Sequence, residues 1–168
     1  MKRTLGFSMI EILITLLLVT IGVLGMVAMQ SRTISYTQDS VQRNAAAALA
    51  NDLLELIRIQ PTGLPATSGF YKAAGTAFPT VGAGGCANTP VTAEQQLACW
   101  GEKAKKLLPG VTTARLTNNF YICRTTVPGT CAAAGSAVEI QLMWEVKAGE
   151  CMDNTSNTTC IYRLRSEI

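Results

Sequence analysis

Three features of the 168-residue sequence predict an α+β fold, a long N-terminal helix packed on a small antiparallel β-sheet head braced by disulfides. No proline interrupts Ser8 to Gln60, and the first half of that run is almost wholly apolar. Apolar and polar residues alternate with period two from Val138 to Lys147. All six cysteines lie in the later part of the chain, between Cys86 and Cys160. A helix with an apolar stripe and a sheet with one apolar face each need the other to leave water, so the two are expected to form one core.

From Phe7 to Met29 every residue is apolar or small except Ser8, Glu11, Thr15 and Thr20. At about 1.5 Å per residue this helix matches a hydrocarbon core of roughly 30 Å, which predicts a membrane span. Lys2 and Arg3 precede it and place the N-terminus on the cytoplasmic side, with everything after Met29 outside. A cleavable secretory signal is the rival reading, but Leu24 to Gln30 reads Leu-Gly-Met-Val-Ala-Met-Gln, a poor match to an A-x-A-like site. Glu11 is the anomaly. A carboxylate in a membrane helix is costly and marks a functional candidate, while near the interface it can also snorkel to the headgroups.

From Ser31 to Ile59 the pattern becomes amphipathic. Ile34, Val41, Ala45, Leu49, Leu53, Leu56 and Ile57 recur at helical spacing, and Arg32, Gln38, Asp39, Arg43, Asn51, Asp52 and Glu55 fill the other face. Pro61, Gly63 and Pro65 end the helix. Residues 61–92, rich in Gly, Ala, Pro and Thr, read as a long loop pinned by Phe70, Tyr71, Phe78 and Cys86. Glu94 to Leu108 predicts a short helix with Leu97, Trp100, Ala104 and Leu107 on one face, stopped by Pro109-Gly110. In the strand that follows, Val138, Ile140, Leu142, Trp144 and Val146 face the core, and Glu139, Gln141, Glu145 and Lys147 face away, a half-buried pattern. Phe120 to Thr126 and Ile161 to Arg165 are shorter strand candidates.

Cys86, Cys99, Cys123, Cys131, Cys151 and Cys160 include no C-x-x-C pair, and the chain has no histidine, which argues against a zinc centre. An even number on the oxidising side of a membrane reads as a disulfide set with fifteen possible connectivities. Pairing sequential neighbours, 86–99, 123–131 and 151–160, is preferred because each then closes a short segment between predicted elements. The oxygen-rich stretch 148–159 offers calcium-type ligands, but its spacing matches no EF-hand loop, so a polar turn is expected. It also contains two glycosylation sequons, at Asn154 and Asn157.

The hexapeptide Gly6-Phe7-Ser8-Met9-Ile10-Glu11 resembles the type IV prepilin signature. The resemblance implies the type IV pilin fold, cleavage by a prepilin peptidase between Gly6 and Phe7, methylation of the new N-terminal Phe7, and a role for Glu11 in subunit assembly. Residues 1–6 would then be a leader, 7–29 the membrane and fibre-core half of the helix, 30–60 its amphipathic half, and 61–168 a periplasmic globular head. Further segments, Leu97-Ala98-Cys99-Trp100, Tyr121-Ile122-Cys123-Arg124 and Glu139-Ile140-Gln141-Leu142-Met143-Trp144, are similar to the PilV family of minor pilins, described as type IV pilus modification proteins. That likeness implies a low-abundance subunit that helps initiate assembly near the fibre tip, supporting adhesion and twitching motility. Its partners would be other minor pilins, the major pilin and a large tip adhesin, with inner-membrane lipid around it before assembly. The proline that many major pilins carry within the first half of the helix is absent, and Gly22 and Gly25 stand there instead.

Composition narrows the remaining classes. Net charge is +3, and removal of the leader with Lys2 and Arg3 leaves 12 basic against 11 acidic side chains, so nothing points to a nucleic-acid footprint. There is no histidine, nucleophile elbow, metal-ligand spacing or phosphate-binding glycine loop, so the sequence predicts no enzyme and no cofactor. A minor pseudopilin of a type II secretion system shares the N-terminal signature and is the alternative function.

Overall fold

The computed structural model describes residues 8–59, 64–87, 90–151, 153, 156 and 158–167. Gly6, Phe7 and the leader therefore lie outside the described residues, as do Pro61, Gly63, Asn154 and Asn157. The chain divides into two compact units, Met1–Gln38 and Asp39–Ile168. One helix, α1, runs Met9–Arg58 through the end of the first and the start of the second.

In the second unit the described residues continue with α2 (Ala93–Leu107), α3 (Thr113–Asn119), β1 (Tyr121–Thr125), β2 (Ala137–Glu145) and β3 (Thr159–Glu167). The strands form one antiparallel sheet in the order β1-β2-β3, with Ile122 opposite Ile140 and Ile140 opposite Leu164. Long helix and antiparallel sheet are thus as the sequence predicts. Leu49, Leu53 and Ile57 of α1 share one core with Leu97 and Trp100 of α2 and with Ile122, Val138, Ile140, Leu142 and Trp144 of the sheet. The polar side of this junction is tied too: the Arg58 guanidinium donates to Ser166 Oγ at 2.9 Å.

The burial stripe of α1 differs from the one the pattern predicts. Ala46, Leu49, Ala50, Leu53, Leu54 and Ile57 are buried, while Ile34 and Val41 are 59% and 62% exposed. Asp39, expected on the outer face, is 1% exposed. Two alanines set the close approach here, and periodicity built on large residues passes over them.

α2 begins at a capping box, in which Gln95 N–H donates to Thr92 Oγ1 at 3.2 Å and Gln95 Oε1 accepts from Thr92 N–H at 3.4 Å. Its inward face is Leu97, Ala98, Trp100, Gly101 and Ala104; Leu107 is 49% exposed, and Leu108, just past the helix, is buried in its place. The Trp100 indole N–H donates to Leu49 O at 2.8 Å, fixing α2 against α1. Gly110 then turns the chain at φ +65°, and Glu145 N–H donates to Pro109 O at 2.9 Å, joining the end of α2 to the end of β2.

The segment expected as loop does have an anchored core: Leu64, Phe70 and Phe78 are buried, and Lys72 and Ile122 exchange two backbone hydrogen bonds of 2.8 Å. α3 is an element the pattern does not announce. Only Leu116 of its seven residues is buried, and the helix starts because Thr112 Oγ1 accepts from Arg115 N–H at 3.3 Å.

The second face of β2 also departs from expectation. Glu139 and Gln141 are 1% and 8% exposed, while Glu145 and Lys147 are exposed as expected. The loop between β1 and β2 folds back over this face. It is held by the Cys123–Cys131 disulfide, by Arg124 Nε donating to Gly135 O at 2.7 Å, and by Gly129 N–H donating to Glu139 Oε1 at 2.8 Å. Alternation in sequence distinguishes two faces of a strand but is silent on whether a loop covers the polar one.

Candidate assembly site

The first unit is built from one helix, and its apolar side chains point to every side. Leu16, Leu17, Leu18 and Val19 are all exposed, and four consecutive residues at about 100° each encircle the helix. Ile10, Leu13, Ile21 and Leu24 extend the same surface along its length. A helix that is apolar all round belongs in lipid or in a bundle of similar helices. By length and composition this one is sufficient to cross a membrane.

Its threonine hydroxyls bond within the helix. Thr15 Oγ1 donates to Ile12 O at 2.9 Å, Thr20 Oγ1 to Leu17 O at 2.8 Å, and Thr33 and Thr37 bond back one turn in the same way. Glu11 is different. It sits in the first turn, where the helix dipole favours a negative charge, and its carboxylate has no partner among the described residues. The backbone N–H groups of Glu11 and Ile12 both donate to Ser8 O, at 3.0 and 3.3 Å. From Met9 to Met29 Glu11 is the one charged residue, and an unpaired carboxylate on an apolar cylinder can hold a cation. A Cβ at Gly22 or Gly25 would meet nothing within 4 Å, so the helix backbone is open to a neighbour at both.

In the head unit the cysteines stand as three pairs, Cys86–Cys99, Cys123–Cys131 and Cys151–Cys160, with Cα separations of 5.6, 5.6 and 5.5 Å. Each fastens a loop to a neighbouring element: the 80s loop to α2, the β1–β2 loop to β1, and the turn before β3 to β3. No described cysteine is free.

Three polar clusters of the head are not visible as sites in the sequence. Lys72 is buried, and its ammonium donates to Phe120 O, Thr117 O and Ala73 O at 2.8, 2.9 and 3.1 Å, 5.6 Å above the Phe78 ring. Burial pulls its pKa down to about 8. Glu139 accepts from the Tyr121 hydroxyl, and burial together with that bond pushes the Tyr121 phenol well above its ordinary range. Finally, Arg43 bridges Asp39 at 2.8 Å and Asp153 at 3.3 Å, with its guanidinium 5.8 Å over Trp144. All three lie within the head and serve first to satisfy buried polar groups.

A family model described as Tt1218-like, type IV pilin Tt1218, matches residues 28–101. The match runs from the end of the apolar half of α1 through the loop into α2. With the long N-terminal helix, the three-stranded antiparallel sheet and the disulfides, it decides the architecture. The fold is that of a type IV pilin. No curated protein and no solved structure matches the chain. The exposed apolar cylinder and Glu11 form the candidate assembly site.

Proposed function

We propose that the chain is a minor pilin, a low-abundance subunit of a bacterial type IV pilus that helps initiate the fibre and lies near its tip with other minor pilins, the major pilin and a large adhesin. The observation that carries the reading is the run from Met9 to Met29, apolar on every side, in which Glu11 is the one charged residue. The pilin family match over 28–101 and the similarity of the head segments to PilV support it.

The mechanism follows from charge. Prepilin peptidase cuts between Gly6 and Phe7 and methylates Phe7, leaving an ammonium four residues before Glu11. Glycine at position 6 allows the scissile backbone to approach the peptidase closely. Before assembly the helix sits in the inner membrane with the head in the periplasm; afterwards it lies in the extracellular fibre. Inside a core of apolar helices an unpaired amine is strongly unfavourable, and Glu11 of the same or a neighbouring subunit neutralises it. The pair fixes how far one subunit slides past the next, because opposite charges at low dielectric attract far more than in water. The role is structural, with no catalytic step and no cofactor.

The test is to express the chain and its Gly6→Val variant in a piliated host. Wild type should yield a mature chain beginning at methylated Phe7 and recovered in sheared surface fibres, while Gly6→Val should remain an uncut precursor in the membrane. Normal maturation of Gly6→Val removes the prepilin reading. Loss of protein secretion rather than of piliation on deletion would assign the chain to a type II secretion pseudopilus instead.

A further inference from the structure

The sheet ends at β3, and the pairing pattern shows which way its peptide groups point. In an antiparallel ladder, residues that bond to one neighbouring strand alternate with residues that bond to the other. Ile122 gives both of its backbone bonds to Lys72, so Tyr121 and Cys123 are the residues of β1 that bond to β2, at Gln141 and Glu139. Ile140 and Leu142 of β2 therefore turn to β3, where they meet Leu164 and Tyr162. The bond from Val146 N–H to Thr158 O, at 2.9 Å, continues the same set. The peptide groups of Ile161, Arg163 and Arg165 accordingly point away from the sheet, and nothing among the described residues bonds to them. The Arg58 guanidinium of α1 reaches β3 at the side chain of Ser166, not at this edge. No proline interrupts β3, and its register with β2 is unbroken from Thr159 to Glu167. A free edge of this length is a template for another strand unless something guards it.

The guard is charge. Arg163 and Arg165 stand at successive outward positions on the face away from the core, and both are exposed. Arg163 Nε donates to Gln141 Oε1 at 2.7 Å and Arg165 Nη2 to Thr126 O at 3.1 Å, so each guanidinium is steadied by a neutral acceptor. Tyr162 and Leu164, on the opposite face, are half-buried. We propose that this edge docks an extended segment of another protein by strand addition, with carboxylates opposite Arg163 and Arg165 and apolar side chains opposite Tyr162 and Leu164. A second copy of this chain fits poorly. Outward positions pair with outward positions, so the antiparallel registers of longest overlap set Arg163 against itself or against Arg165. An acidic strand gains from the same charges that repel a copy. The proposal does not depend on the pilus reading.

The experiment uses the full chain in detergent, with hydrogen exchange read at single amides. The probe is a synthetic peptide as long as β3 that alternates Glu and Val. In the chain alone, the amides of Tyr162 and Leu164 should be protected, while those of Ile161, Arg163 and Arg165 exchange fast. Saturating Glu-Val peptide should slow exchange at those three. A peptide alternating Lys and Val should leave them fast, and so should the Glu-Val peptide with its backbone nitrogens methylated, which cannot donate to the edge. Arg163→Gln combined with Arg165→Gln should weaken the Glu-Val peptide about 3-fold or more, with Tyr162 and Leu164 still protected in the chain alone. No slowing by the Glu-Val peptide, an equal effect of the Lys-Val or methylated peptide, or unchanged affinity in the double variant overturns the proposal. Protection of Ile161, Arg163 and Arg165 that rises with chain concentration alone also overturns it, and assigns the edge to a second copy.

Discussion

Lys72 shows how one residue can determine where a loop goes. Its side chain reaches three carbonyls that belong to the loop, to α3 and to the residue before β1. Burial lowers its pKa from 10.5 to about 8, so between those values the unfolded chain keeps a proton that the folded chain has released. Stability from this group therefore rises with pH across that window, by up to about 3 kcal/mol. The raised phenol of Tyr121 acts in the opposite sense above pH 10, which makes the comparison with Lys72→Met the informative one. The difference in urea-unfolding free energy between wild type and Lys72→Met should widen in favour of wild type from pH 8 to 10.5, and a constant difference contradicts the burial argument. Lys72 reads in sequence as one more polar loop residue. Asp39 and Glu139 are disguised in the same way, since a charged residue in a polar register is buried only because distant segments, the β3 turn and the β1–β2 loop, come to cover it.

At the scale of elements, α2 packs closely against its surroundings. Phe78 stacks on Trp100 with ring centroids 6.2 Å apart, and Trp100 meets Phe120 edge-on at 6.2 Å. A Cβ at Gly101 would stand 2.6 Å from Phe78 Cε1. Gly101→Ala gains helix propensity of about 1 kcal/mol yet forces Phe78 aside, and overpacking of this kind costs about 1–3 kcal/mol. The net expectation is a lower thermal midpoint, and a rise would show that Phe78 yields freely. The β1–β2 loop is a second such element. Its disulfide spans a sequence separation of 8, and the paired change Cys123→Ser with Cys131→Ser should cost roughly 2–3 kcal/mol in chemical denaturation, with faster hydrogen exchange at Gly129. An unchanged midpoint contradicts a bracing role. Long periodic elements, α1 and β2, were readable because their repeats extend over many residues. α3 was not, because seven residues with a single buried leucine carry no period, and a cap at Thr112 is visible only once the helix is known.

For the whole molecule, the division after Gln38 separates an apolar helix with no core of its own from a head that holds all three disulfides. Sequence makes that division legible through composition, since cysteine is confined to one side of it, charge is sparse on the other, and the apolar pattern changes near it. The match to a type IV pilin family spans it, from residue 28 to residue 101. Under the proposed function, the Glu11 carboxylate serves assembly rather than insertion or folding. On that proposal, leaving the Phe7 amine buried without its carboxylate would cost about 3–5 kcal/mol, enough to exclude the subunit from a fibre. The direct measurement is the amount of Glu11→Ala chain in sheared fibres and in membranes, with surface piliation scored, in a strain carrying only the variant. Normal cleavage after Gly6, normal membrane levels, and near absence of the variant from fibres with reduced piliation are expected; wild-type incorporation with unchanged piliation would rule out an assembly role for Glu11.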